Sequence, residues 1–182
     1  MIYVLMADGF EEVEAIAPID VMRRAGVPVA TAGIDGDVVC GAHNINIVCD
    51  MSAQDIPFEE LEGIVLPGGM PGTTNLQADS KVKELIEYCA DNELMIAAIC
   101  AAPMILGEMD LLKDKCAVCY PGFEESLHGA ELCENYVMAD ENIITARGAG
   151  VALEFGEAIV DYYMGYEGSG TEVLEQMQYP FI

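Results

Sequence analysis

The sequence predicts an α/β fold in which a doubly wound, mostly parallel sheet carries helices on both faces. Short, β-rich apolar runs alternate along the chain with longer segments whose apolar residues recur at helical spacing. This alternation favours a parallel sheet, because parallel neighbours are joined by crossover helices that cover the sheet. The 182 residues suit one globular domain, and their 53% hydrophobic content is enough for a large core.

The first third of the chain predicts two strands, one helix and a hairpin. IYVLM, which begins at Ile2, predicts the first strand, and the pattern over residues 11–25 predicts the helix that follows it. VPVATAG at residues 27–33 predicts the next strand. Two short runs after it, VVC and INIVC, predict a hairpin-like pair.

The middle of the chain predicts two further strand and helix units. GIVLPGG at residues 63–69 predicts a central strand, and a helical pattern follows over residues 79–91. MIAAIC at residues 95–100 predicts the next strand, and the helical pattern of residues 101–109 begins directly after it. No residues remain for a loop between this strand and the helix after it, so we expect a sharp turn at residues 100–101.

The C-terminal part predicts one more unit and a terminal extension. NIITA predicts a strand, and residues 150–164 predict a helix. Residues 165–182 combine a glycine-rich break, a short helical pattern and an apolar tail. They are too few to fold alone, so we expect a terminal helix packed on a single domain that spans residues 1–182.

The charge balance excludes nucleic acid and anionic membrane surfaces as partners. The formal net charge is −25, and the seven Lys and Arg residues are too few and too scattered to form a basic stripe. The longest uncharged apolar run, Leu94–Leu106, is interrupted by Pro103 and is shorter than the about 20 residues that span a bilayer. Met1 leads into an apolar run without a basic region before it, and the odd number of cysteines suits reduced thiols. We therefore expect a cytoplasmic protein.

Cys100 stands where a strand pattern meets a helical one. A sharp strand-to-helix turn holds its central side chain at the sheet edge, where doubly wound proteins bind ligands. The small residues Ala98, Ala101 and Ala102 permit such a turn. The same turn places the thiol at a helix N-terminus, which favours the thiolate. The alternative is that Cys100 is a small apolar core residue, since free cysteine is among the most buried residue types.

Two glycines follow the central strand. Backbone N–H groups at Gly68 and Gly69 could approach a ligand closely enough to bind an oxyanion. The alternative is an ordinary turn that ends the strand.

Glu14 lies in the first predicted helix, among apolar neighbours. Asp8 and Glu11 have the spacing of a capping box, which would start the helix near Gly9. Burial among apolar residues raises the pKa of a carboxyl group and lets it keep a proton at neutral pH. Pro18 cannot pair with the carbonyl of Glu14, so we expect a local distortion of the helix. The alternative, that the carboxylates only complement the helix dipole, remains open for Glu14 and is preferred for Glu11 and Glu12.

Taken together and in order, five motifs make the chain resemble the ThiJ/PfpI family. The motifs are ADGFEEVEAIAPIDVMRRAG, VLPGGMPGTTNL, AAICAAP, LLKDK and ARGAGVALEFGEAIVD. The resemblance covers essentially the whole chain, and the most similar branch is that of the Parkinson's-disease-associated protein deglycase and bacterial YajL. It implies a flavodoxin-like fold and a homodimer. It also implies that Cys100 is the family's nucleophilic, easily oxidised cysteine, that Glu14 is its protonated partner, and that Gly69 and Ala101, with Gly68 beside them, line the oxyanion site.

Three positions depart from patterns found in the family. Ala102 replaces a glycine that many members carry after the elbow alanine, and Tyr120 stands where some members have a pocket histidine. A step that relied on imidazole at that position is therefore in doubt. Proteases and amidases of the family place histidine directly after the nucleophile, whereas this chain has Ala101. Protease or amidase activity is not expected.

Other reactive residue types give weaker hypotheses. His43 and His128 are the only histidines, and neither is adjacent to Cys100, so a Cys–His dyad is not expected. Cys116 and Cys119 form a C-x-x-C without a second pair at zinc spacing, in a segment that resembles a strand, so no metal site is predicted. Arg147 could support the pocket or a subunit contact, or form an ordinary loop ion pair.

The resemblance, together with Cys100, the glycines after the central strand and Glu14, predicts a glyoxalase or deglycase. In this hypothesis Cys100 attacks a small 2-oxoaldehyde, or its adduct on a protein amine, and Glu14 moves the proton without any cofactor. A second hypothesis makes Cys100 an oxidative-stress sensor or the switch of a redox-regulated chaperone, in which peroxide converts the thiol to sulfinate. A third is a structural homodimer with an inert thiol.

Overall fold

A computed structural model describes residues 1–181 and shows a seven-stranded sheet between two layers of helices. The strands are β1 (Ile2–Met6), β2 (Val29–Gly33), β3 (Val38–Cys40), β4 (Asn46–Val48), β5 (Met51–Ser52), β6 (Gly63–Leu66), β7 (Met95–Ile99), β8 (Cys116–Ala117), β9 (Glu131–Leu132), β10 (Val137–Asp140) and β11 (Ile143–Ala146). The helices are α1 (Glu12–Arg24), α2 (Gly72–Ala78), α3 (Ser80–Asp91), α4 (Pro103–Glu108), α5 (Ala152–Met164) and α6 (Ser169–Gln176). Within residues 1–181, none of the helices has the length and hydropathy needed to cross a membrane.

The main sheet has the order β10-β11-β7-β6-β1-β2-β5. All of its neighbouring strands are parallel except β10, which pairs antiparallel with β11 at one edge. The carboxyl ends of β1, β6 and β7 therefore meet at the centre of one sheet edge. The predicted fold class is confirmed, and the predicted hairpin exists as the separate antiparallel pair β3–β4.

Side-chain alternation along the central strands creates two cores. In β1, Tyr3 and Leu5 belong to one buried cluster, whereas Ile2, Val4 and Met6 belong to the other. All five are at most 1% exposed, because helices cover both faces of the sheet. The first cluster includes residues of α2, α3 and α4, and the second includes residues of α1, α5 and α6.

The C-terminal extension packs onto the domain as a helix. Residues of α6 contact α5 and α1, and both Val173 and Leu174 lie in the core on that side of the sheet. Gly165 and Gly168 both have a left-handed backbone conformation and form the turn between α5 and α6. The last residue of the predicted tail, Ile182, lies outside the described residues.

The start of α1 differs from the prediction. The helix begins at Glu12, and the residue before it, Glu11, makes no side-chain cap. The Asp8 carboxylate instead accepts a hydrogen bond from the Cys40 amide at 2.8 Å. The capping-box expectation is wrong, because the hairpin competes for the same carboxylate. The helix also continues without a break through Pro18.

Candidate active site

Cys100 occupies the turn between β7 and α4. Its φ of 65° lies in the left-handed region, which costs a non-glycine residue of order 1–3 kcal/mol. Its N–H donates to the carbonyl of Ala146 at 2.8 Å, and its carbonyl accepts from the N–H of Tyr120 at 2.8 Å. These bonds hold the strained turn, which has the strand-turn-helix geometry of a nucleophile elbow.

Glu14 reaches the same place from α1. The residue is only 1% exposed, and its Oε2 accepts a hydrogen bond from the Gly68 N–H at 3.0 Å. The carboxyl group lies beside Cys100, because Glu14 Oε2 and Cys100 Cβ are 2.5 Å and 2.6 Å from the point that a Cβ on Gly68 would occupy. Burial, together with the charge of Glu11, raises the pKa of Glu14 to about 7, although the hydrogen bonds from Cys100 and Gly68 oppose the shift. The carboxyl group can therefore hold or release a proton near neutral pH.

The helix terminus alone does not ionise the thiol, so that expectation is wrong. Burial raises the pKa of Cys100 to about 12, and the charge and hydrogen bond of Glu14 act in the same direction. The amides of Gly69 and Ala101 hydrogen-bond the sulfur and lower the pKa by less. The first residue of α4, Pro103, has no N–H to add.

Cys100 and Glu14 titrate as a coupled pair. While Glu14 is negative, its charge opposes a second negative charge on the sulfur. When Glu14 is protonated, that repulsion is absent and the carboxyl group becomes a hydrogen-bond donor to the sulfur, which favours the thiolate. Between about pH 7 and about pH 12 the pair holds one proton. This arrangement suits a nucleophile with an acid–base partner.

The two glycines after β6 let the backbone pass directly beside this pair. A methyl group on Gly68 would lie 2.5 Å from Glu14 Oε2 and 2.6 Å from Cys100 Cβ. Only glycine permits this close approach. Gly69 has a φ of 88°, a conformation that glycine adopts without strain, and its amide lowers the pKa of the thiol. The amides of Gly69 and Ala101 thus converge next to Sγ, in the way that oxyanion donors do.

Tyr120 stands at the rim of the site and is 50% exposed. Its Cδ2 lies 3.3 Å from the point that a Cβ on Gly148 would occupy, and Glu14 Oε1 lies 3.7 Å from the same point. The phenol ring and the carboxyl group therefore flank the backbone at Gly148.

Arg147 lies in the neighbouring loop. Its Nη2 donates to the carbonyl of Cys133 at 3.4 Å, and its guanidinium carbon lies 5.3 Å from the centroid of the Tyr136 ring. Among the described residues, these contacts do not bring the side chain to Cys100 or Glu14. Arg147 supports residues 133–136 beside the site.

The amide of Ala149 was not predicted as part of the site. It lies near the Glu14 carboxyl group and lowers its pKa, as the amide of Gly68 does. The sequence signal is the glycine on each side of it, Gly148 and Gly150, directly after β11.

Glu12 anchors the β3–β4 hairpin to α1. It is 6% exposed and accepts hydrogen bonds from the N–H groups of His43 at 2.8 Å and Ile45 at 3.4 Å. The prediction that Glu12 only complements the helix dipole is therefore wrong. Glu11, Glu12 and His43 form the one group of three potential metal ligands found in residues 1–181, with ligand atoms within 4.8 Å of one another. Glu12 already uses both oxygens for the hairpin, since His43 Nδ1 lies 2.8 Å from Oε2.

A groove lies elsewhere, between the outer face of α1 and the hairpin. It has a volume of about 810 Å³ and is mostly apolar. We call it the apolar groove and define it by Val13, Ile16, Ile45, Val48 and Leu153. The reactive pair does not line it.

Comparison with known proteins supports one family. Residues 1–162 match the DJ-1/PfpI family. The chain is 34% identical over 184 residues to the Parkinson disease protein 7 homolog of Danio rerio, which covers 98% of this chain and 95% of that protein. It is 29% identical over 162 residues to the glutathione-independent glyoxalase DJR-1.2 of Caenorhabditis elegans, covering 88% of this chain and 87% of that one. The Arabidopsis thaliana protein DJ-1 homolog B is 36% identical over 165 residues, or 89% of this chain, and the match spans only 38% of its length.

Solved structures agree with the same assignment. The crystal structure of Drosophila melanogaster DJ-1beta has a TM-score of 0.91 and 32% identity, and the match covers 99% of this chain and 98% of that one. A Toxoplasma gondii DJ-1 structure described as oxidized has a TM-score of 0.93 and 27% identity, with coverage of 99% and 98%. With its flavodoxin-like sheet and the motifs named above, the chain belongs to the DJ-1/PfpI family.

Proposed function

We propose that this protein is a cofactor-independent enzyme of the glyoxalase and deglycase type. Its substrates are small 2-oxoaldehydes or their adducts on protein amines. The observation that carries the proposal is the position of the buried Glu14 carboxyl group beside Cys100 at the carboxyl edge of the sheet, where both lie directly against Gly68. It is supported by a relative that is named a glutathione-independent glyoxalase.

The reaction starts when the pair's single proton resides on Glu14. The Cys100 thiolate attacks the aldehyde carbon of a compound such as methylglyoxal, and a C–S bond forms as the carbonyl π bond breaks. The new oxyanion accepts hydrogen bonds from the amides of Gly69 and Ala101. Proton transfer from Glu14 to that oxygen completes a hemithioacetal and leaves the carboxylate ready to act as a base.

Glu14 then moves a proton between the two substrate carbons. It removes the proton from the carbon bonded to sulfur, which gives an enediolate, and returns that proton to the neighbouring carbon. The hydroxyl proton passes from the first oxygen to the second, which leaves a thioester and the 2-hydroxyl group of lactate. Water hydrolyses the thioester to lactate and restores the thiol. The net reaction is methylglyoxal plus water to lactate, so no oxidant, reductant or cofactor takes part. A pKa near 7 allows Glu14 to act as both acid and base.

The direct test is lactate formation from methylglyoxal, with wild type and Cys100→Ser side by side. Wild type is expected to produce lactate, and the variant is expected to produce none above the uncatalysed rate. Equal lactate formation by both proteins would end the proposal.

Oxidative sensing is the second candidate function of the same residues. Peroxide would transfer two oxygens in turn to the Cys100 sulfur, each with release of water, to form a sulfinate. Protonated Glu14 and the amides of Gly69 and Ala101 are donors suited to that anion. The candidate is favoured by the similarity to a DJ-1 structure that is described as oxidized.

We further propose that the protein works as a cytoplasmic homodimer whose subunits meet at the apolar groove. Four apolar side chains in the groove are well exposed: Val13 at 51%, Ile16 at 40%, Ile45 at 54% and Val48 at 74%. Contiguous apolar surface of this kind marks an interaction site. The cytoplasmic location is supported by the seven cysteines, all of which are free.

A further inference from the structure

A second pair of thiols lies at the small parallel sheet formed by β8 and β9. Cys116 begins β8 and stands opposite Glu131. Cys133 follows β9 directly, and its N–H donates to the carbonyl of Ala117 at 3.3 Å. Residues two apart along a strand share a face, and so do residues directly opposite each other. Cys133 therefore shares a face with Glu131 and with Cys116.

The two thiols are neighbours on that face, because Cys133 lies two residues beyond Glu131, the partner of Cys116 in the sheet. Both residues are partly exposed, and the Cys133 side chain is close enough to raise the pKa of Cys116. The Cys133 thiol also lies 3.6 Å from the carbonyl oxygen of Glu131, on the same strand. The hydrogen bond with Cys133, burial and the charges of Glu131 and Asp140 raise the pKa of Cys116 to about 11, so Cys116 is protonated at neutral pH in the reduced protein.

The C-x-x-C spacing points to a different partner, Cys119, which the fold rules out. Cys119 is 5% exposed and belongs to the same core cluster as Ala117. Cys116 lies outside that cluster, on the opposite face of the strand. The partner in space thus comes from the end of β9.

We propose that Cys116 and Cys133 are an oxidation site separate from Cys100 and form a reversible disulfide when the protein meets a peroxide. One sulfur accepts an oxygen from the peroxide and becomes a sulfenic acid, and the peroxide is reduced to water. The other sulfur attacks the sulfenic sulfur, so that the S–S bond forms, the S–O bond breaks and a second water leaves. In sum, two thiols lose two hydrogens.

The surroundings suit this bond. Cys133 lies just beyond the last residue of β9, where the backbone is free to adjust to the Cα separation of about 5.5–6 Å that disulfides favour. The bond from the Cys133 N–H to the Ala117 carbonyl keeps this loop beside β8, and Arg147 donates to the Cys133 carbonyl. The inference does not depend on the activity proposed for Cys100.

The test is mass spectrometry of Cys100→Ser protein after mild hydrogen peroxide, so that the active-site thiol cannot contribute. The intact protein is expected to lose two hydrogens in more than half of the molecules and to regain them with dithiothreitol. Digestion with trypsin and a glutamate-specific protease separates residues 116–124, which contain Cys116 and Cys119, from residues 132–134, which contain Cys133. The expected product is a cross-link between these two peptides.

Three further variants assign the sulfurs. Cys119→Ser is expected to retain the cross-link, whereas Cys116→Ser and Cys133→Ser are each expected to abolish it. Retention in Cys116→Ser, or a bond within residues 116–124, would overturn the assignment. So would wild-type protein that shows no cross-link at a peroxide concentration that fully oxidises Cys100. That last measurement needs no variant and is independent of folding defects.

Discussion

The Glu14 carboxyl group lies beside Cys100, although one comes from α1 and the other from the turn after β7, and burial and the nearby carboxylate together raise the pKa of the thiol. The Gly68 amide donates to the same carboxyl group from the end of β6. Three separate segments therefore determine where one proton resides. This dependence makes the site testable by single substitutions that leave the fold intact.

Replacing Glu14 with glutamine is expected to lower methylglyoxal turnover by about 10²–10⁴-fold, because a general acid–base group typically contributes that much. Glutamine keeps the size and the hydrogen bonds of the protonated acid but cannot transfer a proton. The measurement is the initial rate of lactate formation. Glu87→Gln, on the exposed side of α3, is the control and is expected to match wild type. Full activity in Glu14→Gln would refute the role of Glu14.

The raised pKa of Glu14 predicts a pH dependence of stability. The folded pKa of about 7 exceeds the ordinary value of 4.5, so folding binds a proton between these values. The bound proton stabilises the folded state fully below about pH 4.5, and this stabilisation is lost as the pH rises through 7. At about 1.4 kcal/mol per pKa unit, the loss is roughly 3 kcal/mol.

Urea unfolding of wild type and Glu14→Gln at pH 5 and pH 8 measures this effect. Other carboxylates titrate alike in both proteins, so the difference between them isolates residue 14. Between pH 5 and pH 8, the free energy of unfolding of the glutamine variant is expected to rise relative to that of wild type by up to roughly 3 kcal/mol. An unchanged difference would show that Glu14 ionises normally.

Gly68→Ala is expected to disturb the reactive pair directly. The new methyl group would stand 2.5 Å from Glu14 Oε2 and 2.6 Å from Cys100 Cβ. Such overpacking costs about 1–3 kcal/mol of stability, and a displacement of the pair is expected to reduce turnover by about 10²-fold. Gly150→Ala is the matched control, because a methyl group there meets nothing within 4 Å. Similar losses in both variants would mean that Gly68 has no special position.

Limited peroxide treatment is expected to add two oxygens to Cys100. The amides of Gly69 and Ala101 and the protonated Glu14 stabilise a sulfinate at that sulfur. Peptide mass spectrometry locates the added oxygens, and Cys100→Ser removes the gain. Cys89 serves as an internal reference, since it is fully buried in the core and burial is the one cause of its raised pKa, without the amides that face Cys100. Equal oxidation of Cys89 and Cys100 would contradict selective sensing.

Val48→Glu is expected to convert the proposed homodimer to monomer in sedimentation equilibrium. Val48 lines the apolar groove, so a charge there would be buried in the interface without a partner. Val38 stands opposite it in the hairpin, is 59% exposed and does not line the groove. Val38→Glu is thus expected to remain dimeric. A dimer that survives Val48→Glu would place the interface on another surface.

The sequence predicts the parts of this structure that rest on long patterns. The strands β1, β6 and β7 have continuous apolar runs, and the thiol and the glycines at their ends could be located because parallel strands end at one edge. The two-residue strands β8 and β9 are too short for any periodicity, so the contact between Cys116 and Cys133 could not be seen. The capping role predicted for Asp8 is wrong because its partner, Cys40, comes from a hairpin distant in the sequence.

The ionisation state of the Cys100 thiol could not be predicted from the sequence either. A helix start suggests a lowered pKa for Cys100, but burial and the neighbouring carboxylate dominate. Their balance depends on distances that no local pattern encodes.

Helix α1 contributes side chains both to the reactive pair and to the apolar groove. Glu14 points into the reactive pair, while Val13 and Ile16, its near neighbours on the same helix, face the apolar groove. A helix moves largely as a rigid rod, so a shift imposed at the groove is transmitted to the carboxyl group by the shared backbone. In the proposed dimer, dilution below the dissociation constant would therefore slow the proposed turnover, and the protein's specific activity would depend on its own concentration.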